Sequence, residues 1–311
     1  MKLFELTHNI NKILVEGGSA IPGMSPINQE NVEATLSDLY SKILPALKIT
    51  QADVASLGST GKKKAGESSG DIDIAVSIPA IAHAHGIQPD DEDAIYDIIY
   101  KAALAVEPQS KLFRGLSVIA MAWPIANING MQENERVQVD LMPSQSTKWA
   151  AWSFYSPSQE DNSAYKGIYR NQLLFSVAKF MNWEVTTRAL DKEGIEVDAE
   201  WKRDILDLGK GLFRATQSRQ GKKGLVKGVK TIDRQLSSLD PDEVVQMMFG
   251  PNVKANNILT WEQAFNAVND PNFINKQNKD KILKMTANGI KNALIGKGIE
   301  LPLPPELEAA L

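Results

Sequence analysis

Leu57-Gly58-Ser59-Thr60-Gly61-Lys62-Lys63-Lys64-Ala65-Gly66-Glu67-Ser68-Ser69-Gly70-Asp71-Ile72-Asp73-Ile74 is the most informative run in the chain. Its second half alternates. Ile72, Ile74 and Val76 fall on one side and Asp71 and Asp73 on the other, which is the two-residue period of a strand. Residues two apart in a strand point the same way, so the two carboxylates project together while the isoleucines enter a core. Two hard oxygen donors on one rigid element can hold Mg²⁺, an ion that keeps several waters and takes its remaining ligands from substrate phosphates. Upstream, Gly58 lets the backbone approach a phosphate without a Cβ in the way, and the Ser59 hydroxyl and nearby N–H groups can donate to phosphate oxygens. Lys62, Lys63 and Lys64 add positive charge.

A third carboxylate is needed if two ions are to clamp attacking and leaving oxygens about 3.5–4 Å apart. Asp140 is the first candidate. It lies in Val137-Gln138-Val139-Asp140-Leu141-Met142, where Val137, Val139 and Leu141 face one way and Asp140 the other. Glu135 on the same segment and the more distant Asp161 are its rivals. A lone Asp-x-Asp on a strand is more often a solvated face or edge protection. Joined to Gly-Ser upstream, Ser-Ser-Gly immediately before it and a strand aspartate downstream, the pattern favours chemistry.

The pattern resembles the DNA polymerase β-like nucleotidyltransferase superfamily. Its signature is Gly-Ser, a variable spacer, Asp-hydrophobic-Asp-hydrophobic, and a later strand with hydrophobic-Asp-hydrophobic. Here these are Gly58-Ser59, Asp71-Ile72-Asp73-Ile74 and Val139-Asp140-Leu141. The run Glu67-Ser68-Ser69-Gly70-Asp71 looks like the polymerase members, in which a preceding basic pair contacts the triphosphate, and Lys63 and Lys64 stand in that place. The resemblance covers roughly residues 50–145. It implies an α+β catalytic domain with a mixed sheet and flanking helices, and two Mg²⁺ ions, with Mn²⁺ as a substitute, on Asp71, Asp73 and Asp140. It also implies a nucleoside triphosphate such as ATP bound by Gly58, Ser59, Lys63, Lys64, Ser69 and Gly70. The implied reaction moves a nucleoside monophosphate onto a hydroxyl and releases pyrophosphate.

Outward from this core, Val32, Leu36, Leu39, Ile43 and Leu47 recur at helical spacing, as do Ile95, Ile98, Ile99 and Ala102 in Asp91–Val106. Asp53 to Leu57 reads as a short strand ending in a sharp turn. Leu116–Trp123 and Arg136–Met142 flank a polar link with Asn129-Gly130, the pattern of a long hairpin. Residues 149–161 are aromatic, polar and irregular, the composition of a lid or pocket wall. Ser163–Met181 is again helical. Trp183–Val197 reads as a small hairpin, and the remainder to about residue 297 as mostly helical. Two domains are therefore expected, a nucleotidyltransferase domain with N-terminal helices over 1–150 and a mostly helical, substrate-binding domain over 151–311.

The chain has 311 residues, 43% hydrophobic and 23% charged, the balance of an ordinary globular protein. It has no cysteine, which excludes disulfides, thiolate metal sites and a cysteine nucleophile. No run reaches a membrane span and the first residues lack a signal-peptide core, so no membrane association and a cytoplasmic location are expected. A net charge of −4 excludes an indiscriminate polyanion binder. Lys210, Arg214, Arg219, Lys222, Lys223, Lys227 and Lys230 nevertheless form a block between Gly209 and Ile232 without one acidic residue, either a solvated helical face or a nucleic-acid contact. That block makes an RNA or tRNA 3′ end the first expectation for the acceptor. A small molecule or a protein hydroxyl is the second, and a non-catalytic nucleotide-binding assembly protein an alternative of another class. Tyr155, Tyr165, Tyr169 and Arg170 are candidates for stacking on a base or contacting phosphate, weighed against a place in the core.

Overall fold

The computed structural model describes residues 20–158, 160–191, 193–221, 224–295 and 303–308. The chain divides into two compact units, with the break between Gly167 and Ile168. In chain order the first holds β1 (Ile27–Asn28), α1 (Gln29–Leu47), β2 (Val54–Ser56), β3 (Ser68–Ser69), β4 (Asp71–Ser77), α2 (Ile78–His85), α3 (Glu92–Val106), β5 (Lys111–Phe113), β6 (Val118–Pro124), β7 (Arg136–Ser144) and α4 (Thr147–Ser153).

Five strands form a mixed sheet in the order β2-β4-β7-β6-β5. β4 and β7 are parallel neighbours at its centre, and the other pairings are antiparallel. The expected hairpin is present as β6 and β7. A parallel pair cannot be joined by a tight turn, and here α2, α3, β5 and β6 intervene between its members.

One face of the sheet makes the core. Ile72, Ile74, Val76, Ile119, Met121, Val137, Val139 and Leu141 pack with Val32, Leu39, Ile43 and Leu47 of α1 and Ile95, Ile99 and Ala103 of α3. Each of the Val, Leu, Ile and Met side chains among them contributes about 1.5–3 kcal/mol by leaving water. α3 begins where Asp91 accepts the Ala94 N–H at 3.1 Å, with Glu92 and Asp93 favourably placed in the first turn. The opposite face is built differently. Ala75 joins Leu57 and Ala150 in a small cluster at the β2 end, and Ala120 and Ala122 join Ile21 in another at the β6 end. The α4 contact carries the first unit past residue 150 to Gly167.

The second unit, from Ile168 on, corrects the expectation of a mostly helical C-terminal half. α5 (Gly167–Phe180) is followed by β8 (Glu184–Leu190), β9 (Glu196–Asp207), β10 (Gly211–Gly221) and β11 (Gly224–Ser238), an antiparallel sheet in the order β11-β10-β9-β8. Only then come α6 (Pro241–Phe249), α7 (Trp261–Asn269), α8 (Lys279–Ile295) and the short α9 (Pro305–Glu308). Register shifts between Leu212 and Phe213, Thr216 and Gln217, and Ser218 and Gln220 interrupt the two-residue alternation that marks a strand. Arg214, Arg219, Lys227 and Lys230 of the basic block therefore lie on strands, not on a helical face. Arg170 takes the place in the core weighed against a phosphate contact. It is 0% exposed and donates through Nε to the Ile258 carbonyl at 2.5 Å, while its neighbour Tyr169 packs edge-on against Trp261, so both are core residues of this unit. No described helix is long and apolar enough to cross a membrane.

Candidate metal and nucleotide site

The parallel register of β4 and β7 sets Asp73 directly opposite Asp140 and Asp71 opposite Gln138. All four side chains stand on the face away from α1 and α3, because their neighbours Ile72, Ile74, Val139 and Leu141 fill the core. One carboxylate oxygen each from Asp71, Asp73 and Asp140 lies within 4.8 Å of the others. Among the described residues this is the one such group of three potential ligands. Glu135 and Asp161 are outside it. Glu135 accepts from Gln132 at 2.9 Å, and Asp161 accepts from the Tyr155 hydroxyl at 2.7 Å and from Ser158.

The donor set fits a hard divalent cation, being all oxygen, anionic and mounted on central strands. Asp140 is 5% exposed and its pKa is pushed up to about 7. Burial is the main cause and the charge of Asp71 adds to it, while hydrogen bonds from Gln138 pull the other way. A cation among the three carboxylates would reverse that balance.

The turn after β2 is built against Asp73. The Leu57 N–H donates to the Asp73 carbonyl at 2.9 Å, and the Asp73 N–H donates to the Thr60 hydroxyl at 3.3 Å. Gly58 has φ +58, and a Cβ there would stand 3.0 Å from Asp73 Oδ2. The position therefore needs glycine on two counts, the left-handed backbone and the space. Its N–H donates to the Phe154 carbonyl at 3.2 Å, fastening the turn to the end of α4. Ser59 and Ser69 bring their hydroxyls to 3.5 Å, so these two expected phosphate donors meet.

Gly70, Lys63 and Lys64 are exposed. The loop holding the lysines is tied to the start of α1, with the Lys63 N–H donating to Gln29 at 3.1 Å and the Gly66 N–H to Glu30 at 2.7 Å. Lys62 goes elsewhere. Its ammonium sits 3.9 Å from the centre of the Tyr155 ring and donates to the Ser156 carbonyl at 3.1 Å, and burial lowers its pKa against the opposing pull of Asp161. Tyr155 is thus a fastener of the Gly58–Lys62 turn.

The basic block belongs to the second unit. Arg214 pairs with Glu184 at 3.3 Å and Asp204 at 3.4 Å, and Arg219 lies 5.5 Å from the centre of the Trp201 ring. Lys210 is half-buried and Lys230 is exposed. Lys222 and Lys223 lie outside the described residues, as does the side chain of Lys227.

Gln138 is the site residue that the sequence did not single out. It is 0% exposed and donates to both oxygens of Asp140, at 2.9 and 3.0 Å. Its only advance signal was position, two residues before Asp140 on the same strand face. No protein-family model matches the chain, and no curated protein matches its sequence significantly.

Proposed function

We propose that this chain is a metal-dependent nucleotidyltransferase of the polymerase β-like kind, transferring a nucleoside monophosphate from a triphosphate to a hydroxyl acceptor. The observation that carries this reading is the meeting of Asp71, Asp73 and Asp140 on neighbouring central strands, their ligand oxygens within 4.8 Å, beside the Gly58-Ser59 turn. Two Mg²⁺ ions on these carboxylates, or Mn²⁺ in their place, would neutralise charge on the reacting phosphate and favour ionisation of the attacking hydroxyl.

The protein's own residues do the rest. The acceptor oxygen bonds to the α-phosphorus, the bond from that phosphorus to the bridging oxygen of the β-phosphate breaks, and pyrophosphate leaves. Ionised Asp140 takes the hydroxyl proton, a role open to a carboxylate standing beside Asp71 and Asp73. Ser59 and Ser69 donate hydrogen bonds to the departing phosphates, and the exposed Lys63 and Lys64 offset their charge. The reading is tested by incubating the protein with each labelled triphosphate and a pool of RNA, DNA and protein acceptors in Mg²⁺. Label on an acceptor that disappears with EDTA is expected, and no label under any combination overturns it.

An RNA or tRNA 3′ end is the acceptor proposed first, on the charge of the 209–232 block. A small molecule or a protein hydroxyl is the second reading. It is favoured by the pairing of Arg214 with Glu184 and Asp204, which withdraws that charge from a polyanion.

A further inference from the structure

The segment from Ala20 to Asn28 is pinned at three places, at Gln132 before β7 and at Arg136 and Gln138 on it. Asn28 N–H donates to Gln132 Oε1 at 2.7 Å and Gln132 Nε2 returns a bond to the Pro26 carbonyl at 2.7 Å. The Ser25 N–H donates to the Arg136 carbonyl at 2.8 Å. At the far end, Gln138 Oε1 accepts from both the Ala20 N–H at 2.9 Å and the Ile21 N–H at 3.2 Å. Between these ties Ile21 packs on Ala120 and Ala122, small residues of β6 that leave room for it on the face that also carries the aspartates.

Gln138 is therefore held at both ends of its amide, with two bonds accepted at the oxygen and an N–H shared between the two carboxylate oxygens of Asp140. The orientation of its amide is not interchangeable. Two backbone N–H groups can only donate, so the oxygen must face Ala20 and Ile21, and the NH₂ group is thereby turned onto Asp140. A fully buried amide held at both ends has one rotamer available, and the carboxylate it grips is fixed with it.

We infer that Gln138 is a positioning residue for the third carboxylate, setting Asp140 to receive the ion that serves the acceptor hydroxyl, and that the Ala20–Ile21 strap is what aims it. The inference rests on the metal-dependent transfer proposed above. Gln138 touches neither nucleotide nor acceptor. Its removal acts on the ion shared with Asp140 and leaves the turn at Gly58 and Ser59, and with it nucleotide affinity, in place.

The test is Mn²⁺ titration followed by electron paramagnetic resonance, on wild type, Gln138→Met and Gln138→Glu, with a non-hydrolysable triphosphate analogue bound and its affinity measured in parallel. Gln138→Met removes every polar group, whereas Gln138→Glu keeps an acceptor for the strap and removes the amide donors, so the second variant decides if the first fails to fold. Two Mn²⁺ sites are expected in the wild type, with one weakened about 10- to 100-fold in the variants. Analogue affinity is expected to stay within about threefold of wild type. Where label transfer is measured, kcat falls while KM for the triphosphate holds. Both Mn²⁺ sites at full strength in Gln138→Glu, or a loss of nucleotide and metal together in step with a lowered melting temperature, overturns the positioning role. A wild type that binds no Mn²⁺ overturns the transferase reading itself, and the inference with it.

Discussion

At the scale of single residues, Asp71 and Asp73 are half-buried and Asp140 buried on the sheet face away from α1 and α3, and what they offer there is charge. Replacing Asp71 or Asp73 by Asn is expected to reduce transfer by at least about a thousandfold, the several kcal/mol that metal-borne charge stabilisation supplies, with no drop in melting temperature. Wild-type turnover in either variant would count against the mechanism. Asp140 gives a second, signed expectation. Its folded pKa of about 7 stands above the ordinary carboxylate value, so without metal the folded state holds this proton more tightly than the unfolded chain does. The resulting stabilisation is complete below about pH 4 and is lost as pH rises to about 7. In EDTA at pH 8, Asp140→Asn should therefore melt higher than wild type, and at pH 4 the difference should vanish. A variant that melts lower at pH 8 would contradict this. The aspartates were legible in the sequence because alternation separates them from the isoleucines. Gln138 was not, since a glutamine on a strand carries no mark until the residue opposite and the strap above it are known.

At the scale of elements, β4 carries function on one face and stability on the other. Ile74 is 1% exposed in the core shared with α1 and α3, and Ile74→Ala is expected to cost about 2–5 kcal/mol in urea unfolding. Mn²⁺ affinity of the folded protein should remain near wild type. A loss of metal binding without a loss of stability would mean the two faces are not separable. The longer elements α1, β4, α3, β6 and β7 of the first unit could be read because each has a clean period, as in Ile72, Ile74 and Val76, or Ile95 and Ile99, whereas α2, β5 and α4 are too short to show one. β10 and β11 could not, because three register shifts break their alternation and the exposed run 230–237 of β11 mixes Lys, Thr, Asp and Arg with Ile and Leu. Long-range pairing, such as Phe213 with Ile205 and with Leu236, supplies what local pattern lacked.

At the scale of the molecule, the candidate chemistry lies in the first unit and the basic block in the second, and each stands on its own sheet. If the acceptor is RNA, binding should fall steeply with salt. Contact with about four phosphates implies a roughly fiftyfold loss of affinity between 50 and 200 mM salt. Fluorescence anisotropy with a labelled oligonucleotide checks this, and affinity that is absent or indifferent to salt turns the search to small molecules and proteins. The fold's central pairing also bears on how ligand binding can be observed. Residues 74–76 of β4 and 138–141 of β7 have hydrogen-bonded strands on both sides, so their amides are expected to exchange with deuterium only when the whole unit opens. Metal or nucleotide bound to Asp71, Asp73 and Asp140 then registers as a common slowing across residues 74–76 and 138–141, a clock on global opening running beneath the site it reports.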